Sequence, residues 1–187
     1  MPPLPVVIVL AAGRGERFAA SGGIVHKLDA LLGGRRVLDH VLDAVRGSGL
    51  PYHVVRPAVG ASSAGMGDSI AAGIRATLDA SGWLILPADL PLVRSETLRA
   101  IALAPPCAVT VPRYQGQRGH PVRFDADCRD DLMNLKGNQG AAHVLLARAA
   151  MNSIAFVDLD DAGCVTDIDT LDDLHRAEAL LIQRPSP

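Results

Sequence analysis

Leu10 to Arg17 read LAAGRGER, directly after the apolar run Val6-Val7-Ile8-Val9, and Lys27 lies ten positions beyond Arg17. Glycine has no Cβ, so backbone N–H groups around Gly13 and Gly15 can close on an anion that Arg17 and Lys27 would neutralise. The chemistry this allows is the cradling of a triphosphate at the carboxyl end of a buried strand, where open α/β sheets bind ligands. Neither common phosphate motif explains the run. No Gly-Lys-Ser/Thr occurs anywhere, and Phe18 stands where a dinucleotide fingerprint needs a small residue. On local grounds, a strand-to-helix turn that is glycine-rich for steric reasons is the competing reading.

Acidic residues come next. Trp83-Leu84-Ile85-Leu86 runs into Pro87-Ala88-Asp89-Leu90-Pro91, which puts Asp89 just past the end of a second buried strand. A carboxylate there can hold Mg²⁺, a hard cation that takes oxygen ligands and substrate phosphates; it can equally cap a turn before proline. Asp167 and Asp169 alternate, so both carboxylates share one face of an extended segment and could complete a metal site opposite Asp89. N-capping of the following helix is the rival role for Asp169, with Thr170 as another cap, and Asp172 and Asp173 suit its first turn. Gly65-Met66-Gly67-Asp68-Ser69 opens a helix whose N–H groups face the ligand edge, and Ser69 could donate to a base or ribose. Gly119-His120-Pro121 and Gly137-Asn138-Gln139-Gly140 form two more polar turns, structural by local criteria alone.

These residues need a scaffold, and the chain alternates strand and helix signals. Strands are expected at Val6–Leu10, Tyr52–Arg56, Trp83–Leu86, Cys107–Pro112, Pro121–Phe124 and Ile154–Leu159. Helices are expected at Val37–Arg46, Asp68–Ser81 with Asp68 as N-cap, Ser95–Leu103 with Ser95 as cap, Ala141–Ala150 and Leu171–Ile182. That rhythm implies a three-layer α/β/α arrangement around a mostly parallel sheet, and 187 residues suit one domain spanning 1–187. With 49% hydrophobic but only 3% aromatic residues, the core must be built from Val, Leu, Ile and Ala.

Composition also excludes. A net charge of −2 with no basic block argues against nucleic-acid binding. The apolar start lacks a charged n-region and is too short to span a bilayer, so no membrane role is expected. Cys107, Cys128 and Cys164 have no metal spacing and read as free thiols in a reducing cytoplasm.

In order, LAAGRGERF…HKL, LLGGRRVLDHVL, GMGDSIAAGI, PADLPLV, QRGHPVRF, GNQGA and DIDTLDDL resemble the nucleotidyltransferases of molybdenum-cofactor maturation, the MobA-like family. The resemblance runs from about Val6 to Leu174. The LAAG form, rather than LAGG, resembles the cytidylyltransferase branch more than the guanylyl branch. It implies a Rossmann-like nucleotidyltransferase fold, CTP as donor, molybdopterin or molybdenum cofactor as acceptor, Mg²⁺ as cofactor, and a downstream molybdoenzyme. By resemblance, the nucleotide is bound by Leu10, Ala11, Ala12, Gly13, Gly15, Arg17, Lys27, Gly65, Met66 and Ser69. Arg17, Lys27 and Asp89 serve catalysis, Asp89 and Asp169 hold the metal, and the pterin side falls to Gly119, His120, Pro121, Asn138, Gln139 and Gly140, with Arg118 beside them. Three departures stand out: the long link between Arg17 and Lys27, Asn138 where an aspartate is frequent, and a short 50–65 stretch from which one βα crossover is missing. Two alternatives stay open: a nucleotidyltransferase for another phosphorylated acceptor, and a non-catalytic carrier of the cofactor on the same fold.

Overall fold

The structure, a computed structural model, describes residues 4–56 and 65–183. Its central strand β1 (Val6–Leu10) is a run of β-branched and aliphatic residues, the composition of a strand covered on both faces. The chain continues through α1 (Glu16–Ala20), a two-stranded ribbon of β2 (Leu31–Leu32) and β3 (Arg35–Arg36), α2 (Val37–Ser48) and β4 (Tyr52–Val55). Then follow α3 (Met66–Arg75), β5 (Gly82–Pro87), α4 (Ser95–Ala102), β6 (Val109–Tyr114), β7 (Gln117–Arg118) and β8 (Val122–Asp125). The last elements are α5 (Arg129–Met133), α6 (Ala142–Ala150), β9 (Ile154–Asp158) and α7 (Leu171–Ile182). Among the described residues no helix is long and apolar enough to cross a membrane.

Alternation sorts the strands between two cores. Val7, Val9, Leu84 and Leu86 face α2, α4 and α7, meeting Val41, Val45, Leu98, Ile101 and Ala177. Ile8, Trp83, Ile85, Val109 and Phe124 face the other way and pack on Ile70 and Ile74 of α3, Leu132 of α5 and Val144 of α6. The three expected layers are present.

The main sheet runs β4-β1-β5-β8-β6, with β9 beside β6 and the short β7 prolonging the β8 lane. β1 is parallel to both β4 and β5, and Leu10 lies opposite Pro87, so the loop after β1 and the Asp89 segment leave adjacent strand ends together. β8 is antiparallel to β5 and β6. Its hydrophobic pattern cannot encode direction, and the consequence is large: reversal brings its amino end, with Gly119 and His120, to the edge where the parallel strands finish.

Several boundaries differ from expectation. α3 begins at Met66 because Gly65 is its N-cap, and Asp68 acts from inside the first turn, accepting the Gly65 N–H at 2.9 Å. Its α-helical part ends at Arg75 rather than Ser81. α4 starts at Ser95 as its first helical residue. Its cap is remote: Asp161 accepts from the Arg94 N–H at 3.0 Å and the Thr97 hydroxyl at 2.6 Å, while the Ser95 hydroxyl donates to Ala44. β6 extends to Tyr114, two residues beyond the expected end. The helix at Leu171 is capped by Thr170 and Asp173, as the first-turn acids imply. All three cysteines are free. Half of the short 50–65 stretch, residues 57–64, lies outside the described residues.

Candidate active site

The loop after β1 is braced from two sides. The Ala11 N–H donates to Val55 at 2.9 Å, and Ala88 donates back to Leu10 at 3.1 Å, so the sheet ladder continues past the strand end. Gly15 takes a left-handed conformation (φ 66°) at the entry to α1, which a side chain would strain. His26 closes the loop from below. Its Nδ1 accepts the Leu28 N–H at 3.3 Å, so Nε2 carries the proton and donates to the Gly13 carbonyl at 2.8 Å. HKL contained this residue, but no spacing rule ties a histidine to a glycine thirteen positions upstream.

Lys27 stands at the centre. Its ammonium lies 2.7 Å from Asp89 Oδ2 and 2.8 Å from Asp169 Oδ1, and Arg17 reaches the other Asp169 oxygen at 2.5 Å. The long link before Lys27 therefore does not prevent its reach. Burial, the largest influence, disfavours the lysine's charge, but attraction and hydrogen bonds from Asp89 and Asp169 together outweigh it and hold the pKa above the ordinary value. Backbone fixes the acids in turn: the Ile168 N–H donates to the Asp89 carbonyl at 2.9 Å, tying the two acidic segments edge to edge. Burial raises the pKa of neighbouring Asp167, and Asp89, Asp169 and Asp173 add to the effect.

These groups line a cavity of about 1000 Å³. Leu10, Ala12, Gly13, Gly15, Arg17 and Lys27 form one wall, Gly65, Met66 and Ser69 a second, Gly119, His120 and Asn138 a third, with Asp89 and Asp169 between. Four expected residues are not among its lining. Ala11 is buried with its N–H already used, Pro121 is buried, and the exposed Gln139 and half-buried Gly140 lie outside the cavity. Arg118, Gln117, Asp167 and Cys164 join the lining. Ser69 is placed as expected but its proton is committed, since the hydroxyl donates to Gly65 at 3.0 Å. The second and third walls are bolted together: Gly67 N–H donates to Gly137 at 2.8 Å, and Asp68 accepts from Gly137 N–H at 3.1 Å. A Cβ on Gly65 would press into the Gly137 carbonyl, so the packing requires glycine there.

Two atoms stay unsatisfied at the cavity's heart. Asp89 Oδ1 and His120 Nδ1 are buried without a hydrogen-bond partner. Burial lowers the His120 pKa, so the imidazole is neutral; a ring contact to the Ile85 carbonyl and the charges of Asp89 and Asp167 oppose that shift only in part. Cys164 is inert as a nucleophile, its thiol pushed up to about 11 by burial and by Asp161.

Residues 7–152 match the family described as the MobA-like NTP transferase domain. The chain belongs to that family. A curated relative, the purine catabolism protein PucB of Bacillus subtilis, is 28% identical over 200 residues, covering 90% of this chain and 93% of that protein. Among solved structures, a nucleotidyl transferase from Methanothermobacter superposes with a TM-score of 0.79 at 21% identity, covering 96% of this chain and 98% of the other. Rv0371c of Mycobacterium tuberculosis, solved as a complex with manganese, gives 0.70 at 22% identity, covering 94% and 98%. These two structures share the fold of this MobA-like chain, and one of them holds a divalent metal.

Proposed function

We propose that this MobA-like chain transfers CMP from CTP to the phosphate of molybdopterin or molybdenum cofactor and releases pyrophosphate. The observation that carries the reading is the convergence of Lys27, Asp89 and Asp169 beneath the Gly13–Gly15 loop in one cavity. The LAAG form supports cytidine, and the order of motifs through QRGHPVRF and GNQGA supports a molybdopterin acceptor.

The donor set suits a magnesium-sized ion. Asp89 and Asp169 offer hard carboxylate oxygens, and Asp89 Oδ1 has no protein partner to satisfy it. Among the described residues no third His, Cys, Asp or Glu joins them, which fits an ion that completes its shell with water and substrate phosphates. When bound, the cation supplies charge neutralisation for the triphosphate and the departing pyrophosphate.

The chain's own work is positioning and neutralisation. The Gly13–Gly15 amides and Arg17 receive the β- and γ-phosphates, and Lys27 turns its ammonium to the α-phosphate. An oxygen of the acceptor phosphate forms the new bond to the α-phosphorus as the α–β bridging bond breaks and its electrons leave on pyrophosphate. A phosphate monoester is already ionised at neutral pH, so no protein base is required. The test is pyrophosphate release with each of the four nucleoside triphosphates, Mg²⁺ and molybdopterin. Release with CTP is expected. Binding of molybdopterin without release from any nucleotide would leave the carrier reading in its place.

A further inference from the structure

Four cations, Arg14, Arg17, Lys27 and Arg118, line the cavity, and three are answered by carboxylates. Arg14 pairs with Glu16, Arg17 with Asp169, and Lys27 with both Asp89 and Asp169. Arg118 has no ion-pair partner among the described residues. It is nevertheless held in place: its guanidinium carbon stands 5.3 Å from the ring centroid of Phe156, whose ring also carries Arg113 at 4.8 Å. Arg113 is discharged by a two-pronged contact with Asp158 at 2.9 and 2.8 Å. The ring therefore presents one neutralised guanidinium and one with its charge free.

Position gives that charge a use. Arg118 lies in the lane prolonging β8, two lanes from β1 with β5 and its Asp89 between them. At roughly 4.8 Å per lane, the backbones of the β1 and β7 lanes are about 10 Å apart with β5 between them, and the Arg118 side chain crosses β6 to Phe156 at the cavity's far side. In-line displacement requires the nucleophile to approach the α-phosphorus opposite the leaving pyrophosphate. With pyrophosphate on the β1 loop, the nucleophile must come from the β7 wall.

We infer that Arg118, oriented by Phe156, binds the attacking phosphate monoester of the acceptor. This rests on the nucleotidyltransfer reading and deepens it. The forked guanidinium matches two phosphate oxygens, which a lysine cannot do as a point charge.

The decisive comparison is Arg118→Gln against the wild-type protein, using molybdopterin and its dephosphorylated form. In steady-state pyrophosphate release with CTP, the variant should raise the KM for molybdopterin by about 10- to 100-fold and leave the KM for CTP within twofold. Arg118→Lys should recover only part of the loss, and Phe156→Ala should reproduce a fraction of it. Equal changes in both KM values, or none, overturn the assignment. Equilibrium dialysis separates this from failure of the parent reading. The wild type should prefer the phosphorylated pterin at least tenfold, and Arg118→Gln should erase that preference. If no nucleotide yields pyrophosphate, the transferase reading falls while dialysis still decides Arg118. If the wild type shows no phosphate preference, or the variant keeps it, the Arg118 assignment falls by itself.

Discussion

The two halves of the cavity are prepared differently. On the β1 side Lys27, Arg17, Asp89 and Asp169 are all paired: Lys27 is shared by Asp89 and Asp169, and Arg17 pairs with Asp169, with His26 pinning Gly13 underneath. On the β7 side Arg118 is unpaired and His120 Nδ1 unsatisfied. The first half is pre-organised, so on the proposed reading its reorganisation on binding a triphosphate would be small. The second leaves its polar capacity open, which suits a partner bringing both charge and hydrogen-bonding atoms. On the proposed reading, the first half serves chemistry and the second recognition.

Removing a β1-side acid should give the largest effect. Asp89→Ala is expected to cut pyrophosphate release by about 10³-fold or more, the scale seen when a group stabilising developing charge is lost. The thermal midpoint should barely move, because Lys27 keeps Asp169. Retained turnover would remove Asp89 from the metal site and erase the contrast between the halves.

Lys27 offers a sharper test, because its ammonium stands between the two carboxylates. Lys27→Met leaves Asp89 without its counter-charge and Asp169 with Arg17 alone. A fully buried pair broken this way loses roughly 3–5 kcal/mol; here water reaches both acids, so about 1–3 kcal/mol is expected. Mg²⁺ or Mn²⁺ should then raise the thermal midpoint of the variant more than that of the wild type. An equal rise in both would show that the cation binds elsewhere. A smaller effect is expected from His26→Ala, which frees the Gly13 carbonyl; one net hydrogen bond corresponds to a rise of about 2- to 10-fold in the KM for CTP. A change in the acceptor KM instead would place His26 with the recognition half.

The same division governs what could be read from sequence. The β1 side was legible because its groups are local: a β-branched run, glycines at a strand end, acids just past a second strand and before a helix. Each has a periodicity or turn rule behind it. The β7 side depends on pairings between distant residues. The direction of β8 is invisible in Val122–Asp125, yet it decides that His120 reaches the ligand edge. Arg118 meets Phe156 only because β7 and β9 flank the same end of β6. The caps show the same principle on a small scale. Ser95 looked like the cap of α4, but the job went to Asp161, far along the chain and buried against Arg94 and Thr97.

The smallest predicted effect concerns the frame beneath Asp169 rather than the chemistry. Asp173 accepts the Asp169 and Thr170 N–H groups at 3.1 and 2.7 Å, while the Thr170 hydroxyl accepts the Asp173 N–H at 3.2 Å. Burial alone would raise the Asp173 pKa, but the Thr170 hydroxyl, these two N–H groups and Arg176 outweigh it and hold the carboxyl below its usual 3.8. A depressed carboxylate stabilises the fold above its unfolded value, and the contribution drains away as pH falls through the folded one. Asp173→Asn should therefore cost about 0.5–2 kcal/mol at pH 7, measured by urea unfolding, and the gap from wild type should narrow as pH falls below 3.8 towards the depressed folded value. Because Asp173 orients the backbone of a proposed metal ligand, the variant should also weaken Mn²⁺ binding modestly while leaving the Arg118-dependent phosphate preference intact. A gap that persists in acid would mean that side-chain shape rather than charge fixes this helix end, and a loss of phosphate preference would mean that the two halves of the cavity are mechanically coupled.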